Sequence, residues 1–226
     1  MVSKLKMSDL DQQILKFNFK KSYEKEDYFV SKSNYFAFSL IDMWPRWEKK
    51  FVNICGEKYS GKSHLVEIFL KKNKGKLIDL KKNDLNEIDK FRVFENIIIE
   101  NFDDNYNERD MFSLINFVDQ NNKYLLVVSE KPINEFNFSL KDLESRSKNC
   151  LIAKIGQPDD ELIRVLLSKS FSDKQILINN KLIDYMLKRI PRSYGKIFEF
   201  IYKIDEISLK KKKSIDLKTI KNVLKV

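Results

Sequence analysis

The chain has 226 residues, 42% of them hydrophobic, with 17 Phe and 9 Tyr; that supply of apolar side chains is enough for a packed core and excludes wholesale disorder. No run approaches the roughly 18 apolar residues of a membrane span, and the start Met1-Val2-Ser3-Lys4-Leu5-Lys6 leads into polar and acidic residues rather than an apolar export signal, so a cytoplasmic location without a membrane partner is expected. A net charge of +10 points toward nucleic acid, but only seven of the 43 cations are arginine, and lysine here is the default surface residue of a chain rich in Lys, Asn and Ile.

Residues 1–20 are largely polar with a small apolar cluster, Ile14-Leu15 and Phe17 with Phe19, and read as a flexible arm. From Tyr28 onward strand and helix patterns alternate. Ser33 or Asn34 is placed to cap a helix running to about Ile41 and halted near Pro45. Apolar runs at 51–55, 77–80, 95–100, 124–129 and 151–155 read as strands, with helical segments between most of them. That alternation predicts an α/β fold with a parallel five-stranded sheet flanked by helices. The character changes after Gly156. Asp159-Asp160-Glu161 puts acids at a helix start, followed by Leu162, Val165, Leu166 and Leu167 on one face. Further helices are expected over 179–189, 192–208 and 216–225. The expected organisation is an arm over 1–20, an α/β domain over 21–156 and a small all-α domain over 157–226.

The two cysteines, Cys55 and Cys150, match no metal-ligand spacing, and His64 is the single histidine. The chemistry lies elsewhere, in Gly56-Glu57-Lys58-Tyr59-Ser60-Gly61-Lys62-Ser63, a complete phosphate-binding loop. Gly56 and Gly61 allow backbone angles that a side chain would forbid, so the N–H groups along Glu57, Lys58, Tyr59 and Ser60 can curl around phosphate oxygens. Lys62 reaches the terminal phosphates and the Ser63 hydroxyl is a ligand for Mg²⁺. Phe51–Cys55 reads as the strand entering the loop and Ser63–Leu70, with His64 in its first turn, as the helix whose N-terminal dipole faces the anion. The expected ligand is ADP or ATP with Mg²⁺.

Such a loop needs an acidic partner at the end of a nearby strand, and Ile97-Ile98-Ile99-Glu100 offers Glu100 as a second magnesium ligand. The next position is Asn101, whose amide accepts no proton, so intrinsic hydrolysis is expected to be slow or absent unless Asp103 or Asp104 compensates. A plain core strand ending in a polar loop is the competing reading. Leu125-Leu126-Val127-Val128 ends in Ser129, which reads either as a sensor of the terminal phosphate or as a turn residue.

Several segments together resemble the DnaA-related AAA+ proteins, and within them the Hda group. Asp27-Tyr28-Phe29-Val30-Ser31-Lys32-Ser33-Asn34 is similar to the leading segment that packs on adenine in that family, which implies base contacts from Phe29 and Val30. Gly61-Lys62-Ser63-His64-Leu65 resembles the family's phosphate loop, and Ser129-Glu130-Lys131-Pro132 its signature after the sensor strand. Leu140-Lys141-Asp142-Leu143-Glu144-Ser145-Arg146 resembles the segment carrying the arginine finger, which implies that Arg146 acts in trans. A structural ion pair with Asp142 or Glu144 is the competing reading of Arg146. Leu187–Ser193 falls where the second sensor begins, implying Arg192, or Arg189 in another register, on the phosphates. Gln12-Gln13-Ile14-Leu15-Lys16-Phe17 is similar to the Hda hexapeptide for the sliding clamp, with Gln12, Leu15 and Phe17 as its anchors and Gln13 in place of the usual Leu; a register starting at Gln13 gains Ile14 but puts Lys16 at an apolar position. The chain stops at Val226, where DnaA would continue into a DNA-binding domain.

The resemblance implies a negative regulator of replication initiation. Bound to ADP and to a DNA-loaded sliding clamp, and so touching DNA indirectly, it would stimulate hydrolysis of the ATP on DnaA. Monomer and homodimer are both compatible with it. Two other classes stay open: an autonomous AAA+ ATPase that loads or remodels a replication protein, and a basic DNA-binding module using the lysine-rich C-terminal helices.

Overall fold

A computed structural model describes residues 24–80, 84–211 and 215–225; Gln12, Leu15 and Phe17, with the rest of the N-terminal arm, lie outside the described residues. Five parallel strands form one sheet: β1 (Phe51–Cys55), β2 (Gly75–Ile78), β3 (Asn96–Phe102), β4 (Tyr124–Ser129) and β5 (Leu151–Lys154), in the order β2-β3-β4-β1-β5. Parallel neighbours require crossovers, and these are supplied by α2 (Lys62–Lys72), a tight helical stretch over Asp84–Val93, α3 (Glu108–Gln120) and α4 (Lys141–Lys148). Helix α1 (Tyr35–Met43) precedes the sheet.

The two-residue period of the strands divides the core. Val52, Ile54, Ile98, Leu126, Val128 and Ala153 face a cluster with α1 and α2, including Leu40, Leu65 and Phe69. Ile97, Ile99, Leu125 and Val127 face the opposite cluster with Met111, Leu114 and Val118 of α3 and Leu143 of α4. With both faces covered, the strands read as near-continuous apolar runs, which is why they are visible in the sequence.

The second strand starts two residues earlier than its apolar content suggests. Gly75 and Lys76 pair with Asn96 and Ile97, so β2 covers 75–78 instead of 77–80. Close packing explains it: a Cβ at Gly75 would lie 2.7 Å from Ile98 Cδ1 and 2.8 Å from Leu70 Cδ2, so only glycine lets the strand seat against β3. The expected cap of α1 is also different in kind. Asn34 stands at the N-cap position without a capping bond; its side chain accepts from Ser31 N–H at 2.8 Å and donates to Phe29 C=O at 2.9 Å. Asn34 therefore folds the preceding segment instead of the helix.

After β5 the described chain is helical: α5 (Asp160–Asp173), α6 (Asn180–Leu187), α7 (Tyr194–Lys211) and α8 (Leu217–Leu224). Three of these have side-chain N-caps, with Asp159, Asn179 and Asp216 accepting from Leu162, Leu182 and Thr219 N–H at 2.9, 2.9 and 2.8 Å. Their apolar faces meet in a third cluster that includes Ile163, Leu167, Phe171, Met186, Ile197 and Ile204. Among the described residues no helix is long and apolar enough to cross a membrane.

Candidate nucleotide-binding site

Strand β1 lies between β4 and β5, while the chain leaving it crosses to the far edge at β2. The crevice above the carboxyl end of β1 is thus a topological switch point, where open α/β sheets bind ligands. The phosphate loop sits there. Gly61 has φ +93°, in the left-handed region, and opens α2 as its N-cap residue. A Cβ on Gly61 would also come within 3.0 Å of Tyr28 Cε2. The loop's other glycine is held as tightly, since a Cβ on Gly56 would lie 3.0 Å from both Ile155 Cβ and Ser60 Oγ.

The Lys62 ammonium turns back onto the loop and donates to Gly56 C=O at 2.6 Å and Glu57 C=O at 2.8 Å. Burial lowers its proton affinity, partly offset by the nearby Glu130 carboxylate. Ser60 Oγ is buried without a hydrogen-bond partner. A cation held only by carbonyl oxygens, an unpaired hydroxyl and a glycine in the left-handed region together fit a phosphate ligand.

The loop opens onto a cleft of about 1310 Å³, on the large side for a small-molecule pocket. Lys58, Tyr59, Ser60, Gly61, Lys62, Ser63 and His64 line it, as do Phe29 and Ser129. Val30 packs against the core cluster instead and is not among the lining residues. Tyr28 is a lining residue that the sequence reading passed over: its ring is edge-on to His64, with centroids 5.2 Å apart, and stacks on Phe38 at 5.7 Å. The opposite wall comes from Leu162, Val165 and Leu166 of α5 and Tyr194 and Phe198 of α7. No local pattern identifies these residues as site residues, because α5 and α7 reach the cleft only through the tertiary fold.

Ser129 belongs to a buried polar group. Asn53, fully buried in β1, donates to Ser129 Oγ at 2.9 Å and Val127 C=O at 3.0 Å, and its Oδ1 accepts from Ile133 N–H at 2.9 Å. The Ser129 hydroxyl donates to Lys131 C=O at 2.7 Å. This amide ties the ends of β1 and β4 to the segment beyond. The signal was a single Asn inside Phe51-Val52-Asn53-Ile54-Cys55.

At the end of β3 the ladder is irregular between Ile99 and Phe102, and Asn101 has φ +54°. A kink of this kind re-aims side chains. Asn101, Asp103 and Asp104 line the cleft, whereas Glu100 does not. The Glu100 Oε1 atom is buried without a hydrogen-bond partner, which leaves it free to meet a cation. Of the two residues expected to meet magnesium, Ser63 lines the cleft and Glu100 does not; among the described residues no cluster of three His, Cys, Asp or Glu forms a metal site.

None of the three candidate arginines, Arg146, Arg189 and Arg192, is among the residues lining the cleft. Arg192 pairs with Asp160 at 2.6 Å. Arg189 stacks on the Tyr185 ring at 3.8 Å. Arg146, on α4, is paired with Asp119 of α3 and donates to Asn116 Oδ1 at 3.1 Å. Its partner is neither Asp142 nor Glu144, because α3 lies alongside α4 and presents Asp119 there.

No protein-family profile matches the chain. The chain is 22% identical over 227 residues to the chromosomal replication initiator protein DnaA of Helicobacter hepaticus, covering 90% of this chain and 50% of that protein. It therefore spans about half the length of that relative. Domain III of the Thermotoga maritima replication initiation protein DnaA superposes with a TM-score of 0.71, at 18% identity, over 90% of this chain and 95% of that domain. AMPPCP-bound DnaA from Aquifex aeolicus does so with a TM-score of 0.63, at 15% identity, over 82% of this chain and 65% of that one. The fold is the AAA+ fold of DnaA domain III.

Proposed function

We propose that this chain holds ADP or ATP with Mg²⁺ as a bound ligand and acts on a second AAA+ protein, as a negative regulator of replication initiation of the Hda kind. In this reading Gly56–Ser63 grips the phosphates, Tyr28 and Phe29 flank the base, and Ser63 with Glu100 meets the magnesium. The partner is DnaA in its ATP-bound state, engaged while the N-terminal arm is docked on a DNA-loaded sliding clamp. Magnesium supplies charge neutralisation of the phosphates. This chain's own contribution to the partner's chemistry is one cation.

The observation that carries the reading is the placement of Arg146 on an outer helix, away from the walls of its own cleft and held in position by Asp119 and Asn116. A guanidinium on an outer helix, once released by Asp119, can meet a γ-phosphate held by another subunit, and a finger supplied in trans is worth about 10³–10⁵ in rate for phosphoryl transfer. Asn101 supports the same division of labour, since an amide beside the phosphates holds water without accepting its proton.

The test is ATP turnover by DnaA with this chain and ADP added, with and without DNA-loaded clamp. A clamp-dependent rise is expected, with loss of on the order of 10³ in that stimulation for Arg146→Ala. Arg146→Lys is expected to fall nearly as far, because lysine lacks the fork of donors. Lys62→Ala is expected to weaken nucleotide binding by roughly 10- to 150-fold. Turnover by the chain alone would favour an autonomous ATPase. Salt-sensitive duplex binding that needs no clamp would favour the basic DNA-binding module.

A further inference from the structure

The first turn of α7 is bonded to the phosphate loop, and the bond is made by the loop's second residue. A helix start leaves N–H groups without intrahelical partners. At α7 the Ser193 hydroxyl accepts one, from Lys196 at 3.3 Å. Glu57, more than 130 residues earlier in the chain, accepts the two before it: Tyr194 N–H on Oε2 and Gly195 N–H on Oε1, each at 3.0 Å. Ser193 also donates its hydroxyl to Oε1. Gly195 makes room for this approach, since a Cβ there would lie 3.2 Å from Glu57 Oε1.

Two rings reinforce the contact. Tyr59, in the same loop at φ +70°, lays its ring on Phe198 with centroids 5.4 Å apart. Tyr194 is buried in the cluster under the sheet, with its hydroxyl 3.4 Å from Ser33 Oγ. The carboxylate also sits at the positive end of the α7 dipole, where an anion is favoured. Partial burial works against its ionisation, but the bonds from Ser193, Gly195 and Tyr194 outweigh that and keep its pKa low.

We propose that Glu57 is a latch joining the phosphate loop to α7, and that a nucleoside polyphosphate in the loop competes with it, so that filling the site loosens the first turn of α7. The competition rests on the nucleotide-binding reading above; the latch does not. Two features set its direction. Lys62 neutralises the Glu57 side of the loop while it is bonded to the Gly56 and Glu57 carbonyl oxygens, and phosphate draws that ammonium toward itself. Phosphate also brings negative charge beside the carboxylate, and like charges at short range are disfavoured.

Hydrogen exchange over residues 193–199 tests both halves in the full chain, using wild type, Glu57→Gln and Glu57→Ala, each alone, with ADP and with AMPPCP. Without nucleotide, Glu57→Ala is expected to speed exchange there by about tenfold or more, since bonds to a charged acceptor are lost. Glu57→Gln should fall between. Exchange in β4 should not change, which shows that the variants are folded. Nucleotide is expected to speed the same segment in wild type and to add nothing in Glu57→Ala. Unchanged exchange in nucleotide-free Glu57→Ala overturns the latch. Slower exchange on adding nucleotide to wild type overturns the competition. If labelled ADP binds wild type no better than Lys62→Ala, the nucleotide reading and the competition fall together, while the nucleotide-free comparison still decides the latch. Gly195→Ala is a second route to the same readout, because its methyl crowds the carboxylate.

Discussion

The sheet region and the C-terminal helices are held together by different physics. In the sheet, central strands are buried on both faces, and the fully buried Asn53 of β1 has both its amide nitrogen and its oxygen hydrogen-bonded. The helices carry a separate apolar cluster. They join the sheet through the beginnings of two elements, Leu162 of α5 and Tyr194 of α7, which belong to the sheet's cluster while Ile163 and Ile197 belong to their own. At the cleft, the junction includes the Glu57 bonds, the Tyr59–Phe198 contact and the Lys169–Asp27 ion pair. Burial over a broad face is hard to reverse, whereas a few half-exposed polar bonds are not. The difference teaches where the molecule is built to hold its shape and where it is built to move.

The strongest challenge to that contrast is a cavity in each cluster. Phe171→Ala, in the helices, is expected to cost about 3–5 kcal/mol. Ile98→Ala, in the middle of β3, should cost about 2–5 kcal/mol. Urea unfolding followed by hydrogen exchange separates the two. Phe171→Ala should open α6 and α7 while β3 stays protected, and Ile98→Ala should open everything together. If both variants melt the chain as one unit, the proposed division at about residue 157 is wrong.

A smaller effect is expected from Asn53→Ala. It leaves Ile133 N–H and the Val127 carbonyl group without their side-chain partner inside the sheet, at a cost of about 1–3 kcal/mol measured by denaturant midpoint. Replacement by an apolar residue of similar size should not rescue it, because the backbone groups stay unpaired.

Smaller still is a dependence on acid. The Glu57 carboxyl has its pKa lowered below the ordinary 4.5 in the folded chain, facing Lys62 across the loop and Tyr194 on α7. A depressed carboxyl takes up fewer protons folded than unfolded, so its contribution is complete above 4.5 and is lost as the pH falls through the lowered value. Exchange at the start of α7, corrected for intrinsic rates, should be flat near neutrality and rise only at acid pH, as the pH falls through that lowered value; Glu57→Gln should remove that rise.

The least change is expected at the cysteines. Cys55 is fully buried, with burial pushing its thiol up to about 11, and burial also raises Cys150. Neither should react with an alkylating reagent in the folded chain, and both should react in denaturant.

Much of the sheet region was legible because its signals are local. Strands buried on both faces write continuous apolar runs, and a phosphate loop places its glycines, lysine and serine within eight residues. The helical nature of the C-terminal third was legible from periodicity and from the acids Asp159-Asp160-Glu161 at a helix start, whereas the caps Asn179 and Asp216 emerged only in the structure. What escaped were pairings of long sequence separation. Tyr28 against Gly61, Arg146 against Asp119 and Glu57 against α7 carry no local pattern, because each depends on which surfaces the crossovers bring together. The early start of β2 escaped for a related reason: a glycine weakens an isolated strand and is useful only against a close neighbour.

By itself, then, the sequence determined an alternating α/β region with a phosphate loop after its first strand, followed by amphipathic helices. These follow from backbone geometry and from which side chains avoid water, both of which act over a few residues. Only the tertiary structure decided the strand order that puts the loop at a switch point, the separation of Arg146 from the cleft, and the Glu57 contact that ties the loop to α7. Those depend on packing between distant segments, where one carboxylate finds two backbone N–H groups because the sheet and the helices hold them 3.0 Å away.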